Sequence, residues 1–179
     1  MPLSLVGSEM CIRDSNYGNQ STMNKAEKKQ LRYDKAYMRM AMVWAKLSHC
    51  QRKQVGSLIV KDRMIISDGY NGTPTGFENA CEDEEHYTKW YVLHAEANAI
   101  MKVASSTQSC AGATLYITLS PCKECSKLIH QAGIKRVVYA TQYKDVSGIE
   151  FLERAGVEVV ALSINSVSYT HLTLPTTWL

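Results

Sequence analysis

With 179 residues, 45% of them hydrophobic and 21% charged, and a formal net charge of +3 at pH 7, the chain has the size and make-up of one soluble globular domain. A fibrous or disordered polypeptide is excluded, and no apolar run reaches the ~20 residues that span a bilayer, so no membrane partner is expected. The start lacks the cationic and continuously apolar stretches of a secretion signal, which points to the cytoplasm, where six cysteines are expected as thiols or metal ligands. Lys and Arg are interleaved with acids, so nothing calls for a nucleic-acid polymer as partner.

The first stretch, MPLSLVGSEMCIRDS, and the last, VSYTHLTLPTTWL, lack the periodicity of the middle. Both resemble the translated sequencing-adapter residue that recurs at the ends of proteins from assembled environmental DNA. Flanks at 1–24 and 164–179 are therefore expected to be largely non-native, around one domain at 25–163. Met23, opening MNKAEKKQ, reads as a natural start.

From Leu31 to Leu47, Tyr33, Ala36, Tyr37, Met40, Val43, Trp44 and Leu47 recur at spacings of three and four, which predicts a helix burying that face. VGSLIV (Val55 to Val60) and MIISDG (Met64 to Gly69) read as strands joined at Lys61, Asp62 and Arg63 in a hairpin. A long Gly, Asn, Thr and Pro-bearing loop follows, and loops of that length in compact domains are usually functional. Next come a helix at about His94 to Val103, a strand at Ala113 to Thr118 and a helix at Cys122 to Gln131. A strand at Val137 to Ala140, a helix near Gly148 to Ala155 and a strand at Val157 to Ala161 complete the order. Gly133 and Gly156 sit just past helix ends, where a left-handed cap favours glycine. The succession implies a five-stranded mixed sheet with helices on both faces, an α/β class.

Two short motifs carry the chemistry. Cys122 and Cys125 stand three apart at a helix start behind Pro121, so both sulfurs can share a face, and a helix N-terminus favours thiolates. Taken alone, such a pair also reads as a redox couple or half a zinc ribbon. His94 supplies a third zinc ligand and leaves the fourth tetrahedral position open, the catalytic arrangement. Glu96, two positions and about 200° of helix further on, is better placed beside the metal than on it. In this order the residues match the H-x-E and P-C-x-x-C signature of zinc nucleobase deaminases.

The resemblance extends well beyond the motif. QVGSLIV, DGYNGTPTGFEN, HAEANAI, TLYITLSPCKEC and QAGIKRVVY fall in the order and wording of the deoxycytidylate (dCMP) deaminases, and the chain resembles that family from about Tyr33 to Val160. GYNGTP separates it from relatives acting on tRNA adenosine, free cytosine, guanine or riboflavin precursors. The resemblance implies a three-layer α/β/α sandwich in which His94, Cys122 and Cys125 hold catalytic Zn2+. It also implies hydrolysis of dCMP to dUMP, the dTMP precursor, and ammonia, with Glu96 protonating ring N3 and then the leaving amine. The Ala95 amide would hold the base carbonyl, the Ser120 carbonyl the exocyclic amine, and Asn71 the sugar. Gly69, Tyr70, Asn71 and Gly72 match a segment that in some members bears on an effector site for dCTP and dTTP with Mg2+. Homohexamers are common in the family, and Tyr37 to Trp44 offers a surface for one.

Some relatives carry a second, structural zinc, for which Cys50 and Cys81 with His86 or His49 are the candidates, although Ala80 stands where relatives often have another cysteine. Buried free thiols are the alternative. The acidic run CEDEEH reads as a solvated loop, and Cys110 has no assigned role. Arg52, Lys53, Lys123 and Lys144 are all candidates for the phosphate. Two rival functions are a deaminase of the same fold acting on another cytosine nucleoside, nucleotide or base, and a zinc-stabilised binding module without turnover.

Overall fold

A computed structural model describes residues 23–164. The expected flanks fall almost wholly outside those residues; Met23 and Ile164, at their inner edges, pack against the core.

Nine elements follow in chain order: α1 (Lys25–Ala45), β1 (Gly56–Lys61), β2 (Met64–Tyr70), α2 (Ala95–Ala104), β3 (Thr114–Leu119), α3 (Lys123–Gln131), β4 (Arg136–Thr141), α4 (Ser147–Arg154) and β5 (Glu158–Ala161). The strands form one sheet in the order β2-β1-β3-β4-β5. β1 runs antiparallel to both β2 and β3, whereas β3, β4 and β5 are mutually parallel, so the sheet is mixed as expected. Asp62 and Arg63 both take positive φ, the geometry of a two-residue hairpin turn that follows the sheet's twist. Gly133 and Gly156 likewise have positive φ after α3 and α4.

Alternation along the strands divides the core into two. Ile59, Leu115, Ile117, Val137 and Tyr139 face one side with Ala99 and Val103 of α2, Ile129 of α3 and Leu152 of α4. Leu58, Val60, Tyr116, Val138 and Val160 face the other, under α1. This is the three-layer α/β/α sandwich. Cys110, without a role in the sequence, is buried in the first of these cores.

The first helix differs from its reading in extent and in face. It begins at Lys25, because Asn24 accepts from the Ala26 and Glu27 amides while the Glu27 side chain accepts from the Asn24 amide, a capping box that starts a helix without apolar residues. Its buried stripe is Leu31, Asp34, Met38, Ala41 and Ala45, not the one expected. Met40, Val43 and Leu47 are exposed. The reason is steric: a Cβ on Gly56 would lie 2.1 Å from the Ala41 carbonyl oxygen and 2.5 Å from the Ala45 nitrogen, so the helix needs its small residues against β1. Asp34 is fully buried and bound by Arg136 and by the Tyr116 hydroxyl, at 2.8 and 2.6 Å, which compensates its charge.

Candidate active site

The carboxyl ends of parallel strands, where neighbouring connections diverge, are where open α/β sheets form clefts. Here β3 ends at Leu119, and Ser120, Pro121 and Cys122 lead directly into α3. His94 is the N-cap of α2 and Cys122 the N-cap of α3, and neither side chain makes a capping hydrogen bond to its helix. Nδ1 of His94 lies 3.6 Å from Sγ of Cys122 and 3.4 Å from Sγ of Cys125. Among the described residues these three form the one cluster with metal-binding geometry, their ligand atoms all within 4.8 Å of one another.

Several contacts fix the two helix ends. The Ser57 hydroxyl donates to the Ala95 carbonyl at 2.8 Å, and the Asn98 amide donates to the Tyr70 carbonyl at 2.7 Å. A Cβ on Gly69 would sit 2.2 Å from the Ala95 oxygen, and one on Gly148 would sit 2.3 Å from the Pro121 oxygen. Gly69 is therefore required by close packing of β2 on α2. Neither it nor Gly72 has positive φ, so a left-handed turn is not what calls for glycine at either position.

Glu96 lies in the first turn of α2 and is 3% exposed. Burial, opposed by hydrogen bonding and by the His94 charge, pushes its carboxyl up to about 7. The His94 imidazole is raised, first by its hydrogen bond with Cys122. Hydrogen bonds from Cys125 and His94 lower the Cys122 thiol far below its usual range, and the same sharing raises Cys125. Two sulfurs, one of them a ready thiolate, and one imidazole nitrogen are a donor set that suits zinc with a fourth position to spare.

Beside the trio opens a cavity of about 350 Å³. His94, Ala95, Glu96, Ser120, Cys122 and Asn71 all line it, so every residue read from the motif except Cys125 reaches the same space. Ala95 opens α2, where a backbone N–H has no partner within the helix. Ser120 accepts the Tyr143 amide on its hydroxyl at 2.8 Å. Asn71 already spends part of its side chain, donating to the Lys53 carbonyl and accepting from the Val55 amide, each at 2.8 Å. Of the four phosphate candidates, Arg52 and Lys53 line the cavity, whereas Lys123 and Lys144 do not. Tyr143 and Glu82 line it too, and neither was singled out in the sequence, where nothing marks a residue brought in by a distant loop.

The second-metal reading is corrected. Cys50 and Cys81 form a disulfide, with Cα atoms 5.1 Å apart, and their sulfurs bond each other. His49 and His86 are exposed and join no metal-binding cluster among the described residues. With two cysteines adjacent and no further donor gathered, the pair has one covalent partner available, each other. The expectation that all six cysteines are thiols or ligands fails at the same point.

An α/β/α sandwich with a His/Cys/Cys trio at two helix N-termini and a buried glutamate alongside defines the class of zinc nucleobase deaminases. Comparison with known proteins narrows the class. The sequence pattern of the cytidine and deoxycytidylate deaminase zinc-binding region matches residues 31–141. Deoxycytidylate deaminase of Enterobacteria phage T4 is 33% identical over 165 residues, covering 68% of this chain and 86% of the phage protein. ComE operon protein 2 of Bacillus subtilis is 35% identical over 145 residues, covering 77% and 75%. The crystal structure of dCMP deaminase from cyanophage S-TIM5 in complex with dCMP and dUMP superposes with a TM-score of 0.70 at 43% identity, covering 78% of this chain and 99% of the cyanophage chain. The chain belongs to the cytidine and deoxycytidylate deaminase family.

Proposed function

We propose that the protein hydrolyses dCMP to dUMP and ammonia. The observation that carries this reading is Glu96, a carboxyl buried in the cavity wall two residues from His94 and raised toward neutrality. A binding module has no use for a buried, raised acid at its metal; a proton carrier needs one. His94, Cys122 and Cys125 would hold zinc, which would supply the Lewis acidity that brings a water molecule's pKa to about 7. Glu96 takes a proton from the attacking water and delivers it to ring N3, then takes the second proton from the new C4 hydroxyl and delivers it to the departing amine, which leaves as ammonia. Ala95 N–H orients the base carbonyl and the Ser120 carbonyl holds the exocyclic amine. The remaining N–H and lone pair of Asn71 meet the deoxyribose, and Arg52 with Lys53 receives the phosphate at the cavity rim. Similarity to proteins named deoxycytidylate deaminase, and to one crystallised with dCMP and dUMP, supports this substrate.

The test is a panel of dCMP, dCTP, cytidine and deoxycytidine, with ammonia release followed for each. dCMP is expected to be fastest by at least an order of magnitude; equal release from deoxycytidine rejects the phosphate assignment. Three further expectations belong to this reading. Mg2+ with dCTP or dTTP acts at Gly69 to Gly72, whose backbone bonds Val55 and Leu93 and so reaches the cavity wall. A homo-oligomer, a hexamer by resemblance, covers the exposed Met40, Val43 and Leu47, and light scattering on the eluted protein checks it. The cytoplasm is where its nucleotide substrate resides, and no helix among the described residues is long and apolar enough to cross a membrane.

A further inference from the structure

Between α1 and β1 the chain runs from Lys46 to Val55 without helix or strand, and this strap carries Arg52 and Lys53 to the cavity. Its shape is imposed by side chains from elsewhere. Asn71 bonds it at Lys53 and Val55, and the disulfide ties it at Cys50. Between those points, Glu82 Oε1 accepts from two consecutive amides, Gln51 N–H at 3.0 Å and Arg52 N–H at 3.2 Å. A carboxylate receiving adjacent amides fixes the peptide on both sides of one residue, as an N-cap does at a helix start.

We infer that Glu82 is a positioning residue for phosphate recognition: by gripping the Gln51 and Arg52 amides it aims the Arg52 guanidinium at the phosphate of the nucleotide. This rests on the proposal that Arg52 receives the phosphate. Glu82 lines the same cavity, and an acid facing an anionic ligand would only repel it unless that charge were already engaged. The two amides engage it. The acidic run around Glu82 divides accordingly: Asp83 accepts the Glu85 and Tyr87 amides in a local turn, Glu84 and Glu85 are exposed, and only Glu82 reaches across to the strap.

The experiment is a mutant cycle on the zinc-loaded enzyme, with kcat and KM measured for dCMP and kcat/KM for deoxycytidine. Glu82→Ala is expected to raise KM for dCMP roughly tenfold, the size of one charge-assisted hydrogen bond, with kcat nearly unchanged and deoxycytidine unaffected. Glu82→Gln, which keeps an acceptor oxygen, should recover most of that loss. In an Arg52→Ala background, Glu82→Ala should add nothing further, because it acts through the side chain already removed. Additive losses in the double variant, or an equal loss on deoxycytidine, overturn the inference while leaving the phosphate proposal standing. Unchanged KM for dCMP in Arg52→Ala alone overturns the phosphate proposal itself, and this inference with it. Zinc content and melting temperature of each variant, held within a few degrees of the parent, separate aiming from unfolding.

Discussion

The two walls of the cavity are built by different means. On the metal wall, His94, Glu96, Cys122 and Cys125 sit at the first turns of two helices, so the backbone geometry of α2 and α3 places them. Elsewhere in the lining, Arg52, Lys53 and Asn71 lie on irregular chain whose course is set by side chain to backbone bonds over 16 to 31 residues of separation and by a disulfide. On the function proposed above, chemistry that tolerates little displacement is assigned to the stiff elements, and recognition of a charged tail to a strap.

The largest expected effect falls on the first wall. Glu96→Gln keeps the size and burial of the side chain but cannot carry a proton, so turnover of dCMP should fall by about 10²–10⁴. Zinc content, measured by atomic emission, should stay at one per chain, since Glu96 is beside the ligand trio and not in it. Retained turnover would remove the proton-carrying role and with it the distinction between the walls.

The second prediction concerns stability on the strap side. Cys50 and Cys81 close a loop of 31 residues' separation, and removing such a cross-link costs about 3–4 kcal/mol by the chain-entropy account. Cys50→Ser, or full reduction of the parent, should lower the melting temperature by roughly 10 °C while zinc at the His94 site is retained. Loss of zinc in step with melting would mean that the two walls are one cooperative unit.

That division also governs how much could be read from the sequence. The four helices and five strands of the described residues were legible, because the sheet alternates and the helices repeat at three and four; element ends moved by only a residue or so except in α1. The clustering of His94, Cys122 and Cys125, with Glu96 in the adjoining cavity wall, was legible because each pair lies within one short segment, where spacing alone fixes direction. Glu82 and Tyr143 were not, since a residue presented by a loop to a chain thirty positions away leaves no periodic trace. The face of α1 was misjudged for a different reason. Hydrophobicity alone favoured Tyr33, Met40 and Val43, but proximity to Gly56 selects Ala41 and Ala45, and small size is a weak signal in a hydrophobic pattern. The Cys50–Cys81 bond was missed because an expected reducing compartment argued against any disulfide.

The smallest effect separates the two glycines of the GYNG segment, one inside β2 and one on the chain just beyond it. Gly69 ends within β2 against α2, where an added Cβ meets the Ala95 oxygen at 2.2 Å and the Ala99 nitrogen at 2.8 Å, both backbone atoms that move only if the helix moves. Gly72 has room: the nearest atom to an added Cβ is on the Tyr70 ring at 3.9 Å. Gly69→Ala should therefore destabilise by about 1–3 kcal/mol, as overpacking does, and because α2 carries His94 and Glu96 it should also lower kcat for dCMP. Gly72→Ala should be neutral within about 0.5 kcal/mol, with kcat preserved. Denaturant midpoints and dCMP kinetics on the two variants check both statements, and equal losses at the two positions would show that the segment demands glycine for its backbone conformation after all. Unequal losses assign the requirement to the contact between β2 and α2, the same contact that holds the metal wall in place.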